Sequence, residues 1–292
     1  MKPQLATQFK QLLNSPEIHY LMEAHNAISA KIAESCGFKA LWASGLSIAT
    51  ALGVRDSNEL SWTQMIDVLA YMTDAISIPI LVDGDTGHGN FNNARNFAKK
   101  LSNIGIAGVC IEDKLFPKTN SFLGESQQLA SIHEFCGKIQ AIKDHQTNID
   151  FCVIARTESL IVGAGMDEAL RRAEAYRTAG ADAILIHSKK NTAEEVLTFA
   201  KHWDNRCPLV IVPTKYYNTP TVLFKEAAIS LIIWANHNLR ASMKAMNDVC
   251  TEIFNHQNLI GVEKKITTLE EIFSIIDYQE LAHSENKYLT KN

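Results

Sequence analysis

The feature that most restricts this chain is a repeated junction. A helical stretch ends at a small residue, a short apolar run follows, and the run stops at polar or ionisable residues. The junction occurs in AESCGFKALWASG, KLSNIGIAGVCIED and RTAGADAILIHS, and again in FKEAAISLIIWANH with alanine in place of glycine. Gly37, Gly105 and Gly180 fit the left-handed position just past a helix C-terminus. The runs behind them, roughly 4–6 residues and apolar on both faces, suit strands of a buried parallel sheet. His19–Ala24, Pro79–Val82, Phe151–Ala155 and Pro208–Val212 are further strand candidates, bringing the total to eight. Ser131 with Glu134 and Thr192 with Glu195 read as capping boxes, and Asp167 as the cap of the helix ending near Ala179. Eight strand–helix units without a Pro/Gly/Ser-rich linker predict an α/β fold, a TIM-type (β/α)8 barrel. The length of 292 residues suits one such domain over 1–292, although two smaller domains would also fit. A doubly wound open sheet is the alternative, but no G-x-G-x-x-G follows the first strand. Residues 236–292 read as a helical tail, with Leu239, Met243, Met246, Val249 and Ile253 at helical spacing and a second helix near Leu269–Ile276.

Charge and composition exclude several functions. The 28 basic and 32 acidic residues are interspersed and leave a net charge of −4, with no basic stripe for a nucleic acid. The longest apolar stretch, Ile229 to Ala235 broken by Ser230, is too short to cross a bilayer. MKPQLATQFKQLLNS lacks the apolar core and cleavage site of a secretory signal. Cys36, Cys110, Cys136, Cys152, Cys207 and Cys250 are scattered, mostly in apolar runs, and read as reduced core residues of a cytoplasmic protein.

A barrel of this kind carries its chemistry at the C-terminal ends of its strands. The residues there are Trp42-Ala43-Ser44-Gly45, Asp83-Gly84-Asp85, Glu112-Asp113-Lys114, Arg156-Thr157-Glu158, His187-Ser188 and Asn236-His237. Asp83 and Asp85, at i and i+2, share a face while the strand lasts, and Glu112 ends the next strand. Three such carboxylates either hold a hard cation such as Mg2+ or cap the following helices. Gly84, Gly87 and Gly89 in DGDTGHGN favour close approach of backbone to a ligand. Arg156 and His187 either bind an anion together or form a rim ion pair and a structural imidazole. Ser44-Gly45-Leu46 offers a hydroxyl and backbone N–H groups to an oxyanion. The loop of about 17 residues from Asp113 to Ser131, with Pro117, Gly124 and Lys118-Thr119-Asn120-Ser121, reads as a lid that excludes water. Lys215-Tyr216-Tyr217 reads as a solvated loop, and Trp234 to His237 as packing and a helix cap.

EDKLFPKTNS, from Glu112 to Ser121, matches the E-D-K-x5-N-S signature of the phosphoenolpyruvate mutase family, in the isocitrate lyase/phosphoenolpyruvate mutase superfamily. WASG at Trp42, DGDTGHGN at Asp83, ART at Ala155, IVPTKYYNTP at Ile211 and IIWANHNLRASMKAM at Ile232 also resemble that family, in its order and across nearly the whole chain. The resemblance implies a modified barrel whose eighth helix, within 236–292, is swapped between partners in a homodimer or dimer of dimers. It implies Mg2+-dependent interconversion of phosphoenolpyruvate and 3-phosphonopyruvate, the entry to phosphonate biosynthesis. By similarity, Asp83, Asp85 and Glu112 hold the ion directly or through water. Trp42, Ser44, Gly45 and Leu46 lie at the pyruvyl end, while Arg156, His187 and Asn120 bind the phosphoryl group. Asp56, Lys118 and Ser121 match further active-site positions, and Asp56 enters on the match alone. The carbon–carbon lyases of the superfamily carry cysteine in K-[KR]-C-G-H on this loop; here it reads KLFPKTNS. Phosphonopyruvate hydrolase is the near alternative, and resembles the mutase with threonine where Asn120 stands. A barrel that has lost catalysis and serves in binding is the remaining one.

Overall fold

The computed structural model of the chain describes residues 3–118, 120–121 and 127–289. Two compact units are present, Met1–His237 and Asn238–Asn292. The first is a closed barrel of eight parallel strands in chain order, with β8 paired back onto β1. The strands are β1 (His19–Ala24), β2 (Ala40–Ala43), β3 (Ile80–Asp83), β4 (Gly108–Glu112), β5 (Cys152–Thr157), β6 (Ala183–Ile186), β7 (Leu209–Ile211) and β8 (Ile229–Trp234). Helix α1 (Pro3–Leu13) precedes β1, and α2 (Ala27–Ser35) follows it. Then come α3 (Gly45–Ala51), α4 (Trp62–Ala75), α5 (Phe91–Asn103), α6 (Ile132–His145), α7 (Met166–Thr178), α8 (Glu194–Trp203) and α9 (Thr221–Glu226).

Strand pleating divides the core in two. Leu21, Trp42, Leu81, Cys110, Ile154, Leu185, Val210 and Leu231 fill the barrel, and Ala6, Phe9 and Leu13 of α1 join them, closing its N-terminal end. Leu41, Val82, Val109, Val153, Ile184 and Ile232 belong to the cluster that packs against the surrounding helices. Because side chains alternate faces, the residue two beyond the last inward apolar one points into the mouth. That rule carries Trp42 to Ser44, Leu81 to Asp83, Cys110 to Glu112, Ile154 to Arg156 and Leu185 to His187.

Gly37, Gly105 and Gly180 all have positive φ at helix ends, as expected. Ala228, in the copy lacking glycine, adopts the same left-handed geometry at φ 54 and carries the steric cost of its Cβ. The helix starts differ in part from expectation. Ser131 accepts from the Glu134 N–H, but the Glu134 carboxylate reaches Lys138 instead of closing a box. Thr192 caps nothing, since α8 begins at Glu194 and Glu195 accepts from Ser188. Asp167 lies inside the first turn of α7, whose cap position is Gly165. Cys110 and Cys152 are buried, but Cys36 and Cys250 are exposed, against the core reading; all six thiols are free. Lys215 and Tyr217 are exposed, as the solvated-loop reading expects, but Tyr216 between them is buried against Phe224.

In the second unit, the rest of α10 (His237–His256) is followed by α11 (Leu269–Ile275) and α12 (Tyr278–Tyr288). Leu239 of the expected apolar stripe is buried, whereas Met243 and Met246 are 50% and 58% exposed.

Candidate active site

A cavity at the C-terminal mouth of the barrel holds about 490 Å³ of space not filled by protein, part of it open to solvent. Trp42, Ser44, Leu46, Asp56, Asp83, Lys118, Asn120, Ser121, Arg156 and His187 line it. Gly45, Asp85 and Glu112 stand directly behind them: a Cβ on Gly45 would come within 3.3 Å of both Asp83 Oδ2 and Asp85 Oδ1. The residues that the family resemblance assigned to the site are therefore in one place. Thr119 and Gly124 of the loop lie outside the described residues.

One wall is acidic. Asp83 ends β3 facing inward, whereas Asp85 reaches the same spot through a left-handed turn with φ 50, not by strand alternation. Burial pushes the Asp83 carboxyl up to about 6 and raises that of Asp85. The ammonium of Lys118 sits 2.6 Å from Asp85 Oδ1 and 2.8 Å from Asp56 Oδ1. Burial alone would lower the Lys118 pKa, but Asp85 and Glu112 hold it well above its usual value. Asn58 ties this wall to the loop, donating to Asp85 Oδ2 and accepting from the Lys118 N–H at 2.7 Å. Gly84, Gly87 and Gly89 serve this loop's own packing. A Cβ on them would strike Val109, Ala94 and Asn93 respectively, so they do not make room for a ligand as expected.

The opposite side is cationic and centred on a carboxylate that sequence reasoning left unassigned. Glu158 is fully buried. Its Oε1 accepts from Arg156 Nε at 2.5 Å and lies 2.8 Å from His187 Nδ1; its Oε2 accepts from Ser121 Oγ at 2.6 Å. Burial would raise its pKa, but the Arg156 guanidinium and His187 hold it well below the ordinary range. His187 Nδ1 is also 2.8 Å from Arg156 Nη2. A guanidinium only donates and a carboxylate only accepts, so one nitrogen cannot bond both. Burial, and then the neighbouring guanidinium, lower the His187 pKa and favour the neutral ring. A neutral ring with its hydrogen on Nδ1 satisfies Glu158, and the approach of Arg156 is then a contact. Arg156 Nε also lies 3.3 Å from Glu112 Oε2, and Lys114 Nζ 3.1 Å from Glu112 Oε1.

The described residues of the expected lid meet these walls. Its base is zipped by an antiparallel bridge between Lys114 and Leu129, with Ala130 donating to Asp113. Lys118 and Ser121 are buried, and Asn120 donates to Asp56 Oδ2 at 2.7 Å. Ser44 caps α3 by accepting from the Ser47 N–H, leaving its own O–H to donate. The Gly45 N–H points at Asp83 Oδ2, 3.3 Å away. Val212, Thr214, Ala235 and Asn236 complete the cavity from β7 and β8. Asn236, read from sequence as packing or a cap, is buried, and its Oδ1 has no hydrogen-bond partner among the described residues. The strand-end position was the signal for it.

The donor set suits a divalent cation. Asp56, Asp83, Asp85, Glu112 and Glu158 face Lys114, Lys118 and Arg156, an excess of two negative charges when all are ionised. Among the described residues, Glu112 Oε1 and Asp85 Oδ1 are buried without a hydrogen bond of good geometry, although ammonium groups lie nearby. No three histidine, cysteine or carboxylate groups among the described residues are already arranged to hold a metal ion, and the Lys118 ammonium stands against Asp85. Oxygen donors at a buried acidic wall select a hard ion. With an arginine and a neutral imidazole opposite, the cavity can hold an anion between two stabilising sides.

Residues 9–254 match the family described as phosphoenolpyruvate phosphomutase. The phosphoenolpyruvate phosphomutase of Tetrahymena pyriformis is 51% identical over 284 residues, covering 97% of this chain and 95% of its own. A crystal structure of a phosphoenolpyruvate phosphomutase from Streptomyces platensis subsp. rosaceus superposes with a TM-score of 0.96 at 40% identity, over 98% of this chain and 99% of that one. A phosphonopyruvate hydrolase in complex with oxalate and Mg++ superposes with a TM-score of 0.92 at 35% identity, over 99% and 100% of the two chains.

Proposed function

The chain belongs to the phosphoenolpyruvate phosphomutase family, and we propose that it is an isomerase interconverting phosphoenolpyruvate and 3-phosphonopyruvate for phosphonate biosynthesis. The observation that carries this is identity of 51% to a phosphomutase over 97% of the chain, against 37% to a phosphonopyruvate hydrolase over 95%. The reaction moves a phosphoryl group from oxygen to carbon within one small molecule. Such a group passes through a loose transition state, so the protein's task is to position it and stabilise charge.

In this reading Arg156, His187 and Asn120 hold the phosphoryl group. The Ser44 hydroxyl and the backbone of Gly45 and Leu46 take the pyruvyl end, above Trp42. Asp83, Asp85 and Glu112 would hold Mg2+, directly or through water, with Asp56 and Lys118 balancing charge beside them. When bound, the ion offsets negative charge on the pyruvyl oxygens. The residues of the loop keep water from the phosphoryl group, which would otherwise be lost to hydrolysis.

The test is ³¹P NMR of the purified protein with phosphonopyruvate. The expected product with Mg2+ is phosphoenolpyruvate almost alone; chelation should stop turnover and Mg2+ restore it. Pyruvate and phosphate as main products would make the protein a hydrolase, and full activity after verified metal removal would end the metal assignment.

We also read the chain as a homo-oligomer, a dimer or dimer of dimers, joined through a swapped eighth helix. Met243 and Met246 expose an apolar stripe on α10. The outer face of β8 and β1 carries a groove with about 830 Å³ of space not filled by protein, part of it open to solvent, beside Tyr20, Phe38 and Trp234. Symmetric assembly would use both surfaces. Light scattering at micromolar concentration should show a multiple of the chain mass; an active monomer there excludes it. No helix among the described residues is long and apolar enough to cross a membrane. Free thiols fit a reducing compartment, and the cytoplasm is the location this reading carries.

A further inference from the structure

We propose that Glu158 is a positioning residue: its carboxylate latches the loop arm after β4 through the Ser121 hydroxyl, and its other oxygen aims Arg156 and His187. A serine hydroxyl has one hydrogen and two lone pairs. In Ser121 all three are engaged: it donates to Glu158 Oε2 at 2.6 Å and accepts from Lys114 Nζ and Arg156 Nη2, each at 2.9 Å. Its capacity is full, so it has nothing left to offer a bound phosphoryl group. The latch, rather than substrate contact, is its role.

Glu158 is suited to that task by place and surroundings. It lies just beyond β5, and the four side chains it meets come from the arm after β4 (Lys114 and Ser121), from β5 itself (Arg156) and from the residue after β6 (His187). It is fully buried, so no water competes for its oxygens, and bonds to an ionised carboxylate are the stronger kind. Ser121 lies seven residues beyond Lys114, so a bond there restrains the arm far from its base. Losing the latch should therefore loosen the arm and let water reach the phosphoryl group. Water would then attack phosphorus, the carbon–phosphorus bond would break, and the carbanion would take a proton to give pyruvate and phosphate.

Ser121→Ala, Glu158→Gln and the double variant of the full chain test this. Amide hydrogen exchange of residues 114–121 without substrate should quicken by about tenfold or more in each single variant, with β6 unchanged. With phosphonopyruvate and Mg2+, each should release a larger share of phosphate, and Ser121→Ala should do so at a KM within about twofold of the wild type. The double variant should be no worse than Glu158→Gln alone, because both remove the same bond. Ser121→Thr, which keeps the hydroxyl, should restore the slow exchange. Unchanged exchange in Ser121→Ala would overturn the latch. So would a raised KM with the product ratio unaltered, which would make Ser121 a substrate ligand. If Glu158→Gln fails to fold, the serine variants still decide. The product ratio rests on the mutase reading, but exchange without substrate does not, so failure of one is distinguishable from failure of the other.

Discussion

Arg156→Lys should lower turnover by about 10³-fold or more while leaving the barrel folded. The guanidinium spans distances that one ammonium cannot. Its Nε meets Glu158 Oε1 at 2.5 Å and lies 3.3 Å from Glu112 Oε2, while Nη2 meets Ser121 Oγ at 2.9 Å. Lysine keeps the charge, so the buried Glu158 and Glu112 remain compensated, but it loses the planar fork that fixes a phosphoryl group. An arginine acting on a transferring phosphoryl is worth roughly 10³–10⁵ in rate. Arg156→Ala should behave differently. It strands two buried carboxylates and should cost about 3–5 kcal/mol of stability, the usual consequence of breaking a buried pair. Turnover by ³¹P NMR beside denaturant unfolding separates the two effects. A lysine variant keeping a tenth of wild-type turnover would remove Arg156 from the transition state.

What the sequence made legible follows from strand periodicity. Asp83, Glu112, Arg156 and His187 each lie two residues beyond an inward core position, so counting along an apolar run locates them. Asp85 was found for an incomplete reason: its side chain arrives through a positive-φ turn that no alternation rule describes. Asp56 and Asn58 were invisible to pattern, because they sit between α3 and α4, where no period applies. Asp56 was reached through family resemblance, and Asn58 was not reached at all. Glu158 stands at a strand end without a local sign of its role, since its meaning lies in partners brought from other strand ends, Lys114 and Ser121 after β4 and His187 after β6. Asn236 was set aside as packing because an apolar strand running straight into a helix masks a pocket residue between them. Capping boxes failed where a carboxylate found a better partner: Glu134 met Lys138, and Glu195 met the Ser188 hydroxyl. Local patterns thus held where the backbone alone decides, and gave way where side chains compete.

Asn120→Ala should reduce mutase turnover by at least about tenfold and change what the surviving turnover makes. Asn120 borders the cavity and its amide already donates to Asp56 Oδ2 at 2.7 Å, so it is held beside an acidic wall as a neutral donor. Removing one such donor from a dry site typically costs about 2.7–4 kcal/mol of transition-state stabilisation, or roughly 10²–10³ in rate. Partial replacement by water is why the bound is set at about tenfold, below that range. Water that fills the gap is also a nucleophile, so phosphate and pyruvate should rise as a share of product. Asn120→Asp sharpens the test. Its shape is nearly that of asparagine, but it places a second carboxylate against Asp56 and a negative charge near the phosphoryl group, which like charges oppose. Turnover should therefore fall further in Asn120→Asp than in Asn120→Ala. An aspartate variant more active than the alanine one would show that the amide does not donate to an anion. An alanine variant with wild-type rate and product would leave the loop without its assigned part in directing the phosphoryl group to carbon.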